Sequence, residues 1–137
     1  MNKTQITKSM IILVHGLVGW ALCGAIIWIG MGVTSMETTL ILHAIGAPVI
    51  FGAIASIYFR AFNYTTPLQT AIVFVSVVVF MDFFVVVLLI EKSFEMFASL
   101  IGTWIPWALI FASTYLTGLL GGQLRYKSLS ENVSLGE

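Results

Sequence analysis

Three residues stand alone in apolar stretches, and they carry most of the chemistry that this sequence could perform. Asp82 is the only Asp, Glu, Lys or Arg between positions 61 and 90. His43 is the only histidine or charged residue of 38–59, and His15 the only one of 9–36. A carboxylate inside hydrocarbon is expensive, so Asp82 must either hold its proton or meet a donor across a helix contact. Paired with an imidazole, it could relay protons or serve as a general acid and base. The same pair could also do no more than tie two helices together. Asp82 and His43 are therefore the candidate catalytic or proton-handling residues.

Depth decides which groups can meet. At 1.5 Å of rise per residue, Asp82 falls roughly 10 Å below one face of the membrane and His43 roughly 6–8 Å below the same face. A hydrogen bond between them is expected. His15 enters near the opposite face, about 15 Å or more away along the membrane normal, which disfavours a metal or haem pair made of His15 and His43. Glu91 lies nine residues beyond Asp82, on the opposite side of a helix, so His43, Asp82 and Glu91 do not form a ligand set. No HExxH, CxxC, P-loop or dinucleotide fingerprint occurs. Ser56, Ser76 and Ser113 have no triad context. No metal and no cofactor is expected.

The elements that hold these residues follow from composition. The 137 residues include six Lys or Arg and six Asp or Glu, and 59% are hydrophobic. Charged residues make up 9%, against about 25% in a soluble domain. That balance excludes a water-exposed globule. A formal net charge of zero and the lack of a basic stripe exclude a nucleic-acid-binding module. The single cysteine, Cys23, cannot form an intrachain disulfide.

A helix needs about 20 apolar residues to cross the hydrocarbon core. The sequence predicts four spans, at 11–31, 39–59, 69–90 and 101–122, in one all-α polytopic domain over 1–137, a four-transmembrane-helix bundle. The apolar runs do not alternate at period two, and the chain cannot supply the eight strands of a closed barrel. The basic N-terminus and first apolar run read as a retained span, with no evident cleavage site.

Orientation follows from the basic residues. Lys3, Lys8, Arg60, Arg125 and Lys127 fall on one side and Lys92 on the other, so both termini are expected in the cytoplasm, N-in and C-in. Loops are then expected outside near 32–38 and 91–100, and inside near 60–68. Trp28, Trp104 and Trp107 are expected at the outer interface, and Tyr58, Tyr64 and Tyr126 at the inner one. The expected location is a plasma or prokaryotic inner membrane. Three Asn-x-Ser/Thr triplets, at Asn2, Asn63 and Asn132, fall on the cytoplasmic side and read as chance matches.

Small residues mark where backbones can approach in a membrane. The fourth span contains Gly118-x-x-x-Gly122 and the second Gly52-x-x-x-Ser56, the expected packing faces within the chain or between copies. The third span is mostly Val and Phe, expected to fill grooves on its neighbours. Pro48 interrupts the second span, where a local kink is expected. Arg60, Arg125 and Lys127 could touch anionic headgroups. The partners expected are the lipid bilayer and a homo-oligomer or larger membrane complex. The leading functional reading is a noncatalytic membrane subunit or scaffold in which Asp82 and His43 stabilise the bundle. One alternative is a small oligomeric, proton-coupled transporter or channel using both residues. A second is a membrane enzyme acting on an apolar or lipid-like substrate.

Overall fold

Four long helices, each apolar enough to cross a bilayer, make up the computed structural model, which describes residues 2–136. Met1 and Glu137, the ends of the expected domain and topology, lie outside the described residues. The first helix, α1, spans Lys3–Val33. It begins at a reciprocal cap: Gln5 N donates to Asn2 Oδ1 at 2.9 Å, and Asn2 N donates to Gln5 Oε1 at 3.4 Å. The second, α2, spans Met36–Ala61 and follows a turn of only two residues, Thr34 and Ser35. Ser35 Oγ caps it by accepting from Thr38 N at 3.2 Å. Pro48 lies within this unbroken helix.

After α2 the chain turns through 62–66, where Asn63 takes a left-handed conformation at φ 49°, a region that asparagine tolerates better than most residues. Thr66 and Gln69 then form a second reciprocal cap, with Pro67 in the first turn of α3. Helix α3 is α-helical over Pro67–Met81 and continues as a π-helix over Asp82–Glu91. The change begins at Asp82, whose N–H is shared between the Val78 and Val79 carbonyls. Lys92, at φ 51°, ends the segment. A short 3₁₀ turn, Glu95–Ala98, and a π-helical turn, Leu100–Trp104, lead into α4, Ile105–Leu135.

The bundle is a square with α1, α2, α4 and α3 in cyclic order, each packed on its two neighbours. Helix α2 contributes the broadest buried stripe: Thr39, His43, Ala44, Ala47, Phe51, Ile54, Ala55 and Tyr58. Those positions recur at helical spacing on one face. Phe51 and Tyr58 reach across the square to Phe74 on α3, with ring centroids 5.7 and 6.3 Å away. Three close approaches set the antiparallel register of α1 and α2. A methyl added at Gly19 would lie 2.6 Å from Phe51 Cζ, one at Gly30 2.7 Å from Thr39 Cγ2, and one at Gly46 2.7 Å from Ile26 Cδ1. Val77 of α3 fills the space over Gly16, 3.3 Å from an added methyl.

The helices depart from the apolar spans mainly in length. Helix α1 starts at Lys3 and α4 runs on to Leu135, because no glycine or proline interrupts the polar segments at 2–10 and 123–135 and helical hydrogen bonding continues into the polar region. Tyr58, expected at the inner interface, is fully buried within the bundle, one turn from the end of α2. Trp107 also turns inward, for a reason that belongs to Asp82.

Candidate functional site

Asp82 sits at the first residue of the π-helical segment, between α1 and α4. Its two carboxyl oxygens are each met by an indole. Trp20 Nε1 on α1 donates to Oδ1 at 2.9 Å, and Trp107 Nε1 on α4 donates to Oδ2 at 3.0 Å. One carboxyl group therefore joins three of the four helices. An indole N–H donates and has no acceptor site, so neither neighbour offers Asp82 a place to send a proton.

His43 does not take part in this contact. It lies on the buried face of α2, 8% exposed, and its Nδ1 has no hydrogen-bond partner. The register explains the separation. Gly19 of α1 packs on Phe51 of α2, and Trp20 is the next residue along α1. Val77 of the parallel helix α3 lies over Gly16, so Asp82, five residues on, is level with about residue 21 of α1 and about residue 49 of α2, six residues, or about 9 Å along α2, from His43. Depth counted from span ends placed the two together; the helix contacts place them on different levels.

His15 occupies another environment. Its Nδ1 lies 2.7 Å from the Ile11 carbonyl, and its ring meets Tyr58 and Phe62 edge-on at 5.5 and 5.4 Å. Tyr58 Oη in turn contacts Thr65 Oγ1 at 2.9 Å, and Thr65 contacts Thr70 Oγ1 at 2.7 Å. This hydroxyl chain fixes the turn between α2 and α3. Among the described residues no group of three or more His, Cys, Asp or Glu is placed to hold a metal ion.

The glycine and arginine positions come together elsewhere. A groove of about 960 Å³ opens between the end of α2, the 62–66 turn and α4, lined among others by Ser56, Arg60, Thr117, Gly121, Gly122 and Arg125. Gly118, at its edge, is in close contact within the chain: an added methyl would lie 2.6 Å from Pro67 Cβ and 2.8 Å from Phe59 Cζ. Gly122, four residues on, has nothing within 4 Å of an added methyl. Gly52 has ordinary clearance, 3.7 Å to Thr117 Oγ1. Lys127 is fully on the exposed face of α4 and does not line the groove. A second, apolar groove of about 420 Å³ lies along α3 beside Phe80 and Phe84.

Sequence reasoning missed the two tryptophans. A signal was present: Trp20 falls in the middle of a span, away from the interfaces that indoles favour, and a buried indole N–H needs an acceptor. Asp82 is the only carboxyl group inside the spans. No protein-family model, curated protein or solved structure matches this chain.

Proposed function

We propose that the chain is a noncatalytic membrane subunit or scaffold of a plasma or prokaryotic inner membrane, both termini cytoplasmic, acting as a homo-oligomer or within a larger membrane complex. The observation that supports this reading is the double indole clamp on Asp82. The one carboxyl group in the spans has both oxygens occupied by groups that cannot accept a proton. Asp82 lines neither the groove beside Arg60 nor the one beside Phe80. His43, the expected relay partner, makes no hydrogen bond to Asp82. The role of Asp82 on this reading is to hold α1, α3 and α4 in register, and His43 contributes as part of the buried face of α2.

The test compares Asp82→Asn with the unaltered chain in proteoliposomes under an imposed pH gradient, alongside the native mass of the protein extracted in mild detergent. A subunit or scaffold gives no Asp82-dependent proton flux and a defined assembly mass that Asp82→Leu disrupts. Proton flux above that of empty liposomes, abolished by Asp82→Asn in a folded protein, overturns the reading in favour of transport.

A further inference from the structure

The groove beside Arg60 has features that the bundle itself does not require. Two guanidinium groups, Arg60 at the end of α2 and Arg125 on α4, line it, and no Asp or Glu does. Arginine presents its donors in a planar fork that matches the oxygens of a phosphate. Hydroxyl and amide groups from Ser56, Asn63 and Thr117 line the same space. Phe59, Leu120 and Leu124 add apolar surface to the same lining. Gly121 and Gly122 leave room beside it, since a methyl added at either would meet nothing within 4 Å.

Position adds a second argument. Along α4 the groove occupies 117–125, where the apolar span gives way to the polar stretch Gln123–Lys127. Lys8 approaches the same end of the bundle, 5.2 Å over the ring of Tyr64, which also lines the groove. The cavity thus combines two cations with apolar surface from Phe59, Leu120 and Leu124, at the end of the spans where headgroups lie. We propose that it binds a phosphate anion, and that the anion is the headgroup phosphate of an anionic phospholipid whose acyl chains lie against Leu120 and Leu124. A free phosphate would use the arginines and leave the apolar surface idle.

The full-length protein, extracted in a zwitterionic detergent, is titrated with dioleoyl-phosphatidylglycerol or dioleoyl-phosphatidylcholine, and bound lipid is counted by native mass spectrometry. One phosphatidylglycerol is expected to be retained in preference to phosphatidylcholine. Arg60→Gln with Arg125→Gln is expected to weaken that retention roughly thirtyfold, from the loss of two cations at a headgroup surface. Gly122→Leu, whose Cβ would meet nothing within 4 Å and whose side chain would take up space in the groove, is expected to do the same in a protein that remains folded. Lys127→Gln, outside the groove, leaves retention as it was. In a competing arm, inorganic phosphate is expected not to displace the lipid. Displacement by inorganic phosphate would assign the site to a free anion and overturn the lipid assignment. Equal retention of both lipids, or selective retention that survives the double arginine substitution in folded protein, would overturn the site altogether.

Discussion

Trp20 Nε1 lies 2.9 Å from Asp82 Oδ1, although 62 residues separate them in the chain. Trp107 reaches the other oxygen from 25 residues beyond. Hydrogen bonds between membrane helices average about 0.6 kcal/mol each, because the separated helices also find partners in the membrane. Asp82→Leu removes both and strands two indole N–H groups, so a loss of roughly 1–2 kcal/mol is expected. Asp82→Asn keeps one acceptor oxygen and should fall between. Thermal unfolding in detergent checks the order: unaltered chain, then Asn, then Leu. If Leu proved as stable as the unaltered chain, the clamp would have no part in stability. Trp20→Phe and Trp107→Phe each remove one donor while retaining most of the ring packing. Either, combined with Asp82→Leu, should cost less than the sum of the two single changes.

The glycines of α1 are not equivalent. Gly19→Ala drives a methyl to 2.6 Å from Cζ of Phe51, a ring with no exposure at the centre of the core. Overpacking of that kind costs about 1–3 kcal/mol. Gly24 has nothing within 4 Å of an added methyl, so Gly24→Ala should be neutral or stabilise by up to about 1 kcal/mol through helix propensity. A melting comparison in one detergent reads the difference directly. Equal melting points for the two variants would mean that Phe51 yields freely.

A similar contrast divides the Gly118-x-x-x-Gly122 pair. Gly118→Ala presses on Pro67 and Phe59 of the same chain, so it should lower the melting temperature without changing the mass of the extracted protein. Gly122→Ala, like Gly24→Ala, should leave stability unaltered or raise it by up to about 1 kcal/mol. A shift to smaller assemblies on Gly118→Ala, with stability unchanged, would reassign Gly118 to a contact between copies.

Orientation is open to direct measurement. Five of the six basic residues lie at one end of the bundle, the end with Lys3, Lys8, Arg60, Arg125 and Lys127, and that end is expected in the cytoplasm. Reporter fusions before Met1 and after Glu137 should both report the inside. A signal from outside at either terminus refutes the orientation.

Much of the fold could be read from the chain because hydrocarbon admits few solutions. The four apolar runs, each near 20 residues or longer, dictate four helices, and the caps at Asn2, Ser35 and Thr66 are visible as Asn, Ser or Thr before a helical run. The centre of the bundle was less legible. Lateral register depends on which glycine receives which side chain, and nothing local states that Gly19 faces Phe51 or Gly30 faces Thr39. Asp82 stands out in the sequence as a group that must keep its proton or meet a donor, but its partners are set by that register, which brings two indoles near. The π-helical stretch from Asp82 had no signal in the run Phe83–Ile90, which reads as any apolar helix would. Arg60 and Arg125 were separately visible as basic residues at span ends. Their shared cavity depends on how the 62–66 turn crosses the end of the square from α2 to α3, beside α4.

Helix α4 outlasts the membrane. Together with its entry turn it spans 36 residues, about 54 Å at helical rise, against a hydrocarbon core of about 30 Å. From Gln123 to Leu135 the sequence has neither glycine nor proline, and the helix runs unbroken from the groove into this polar arm. The 13 residues of that polar arm reach roughly 20 Å. A tilt of about 20°, ordinary for a helix accommodating bilayer thickness, would swing its tip sideways by roughly 7 Å.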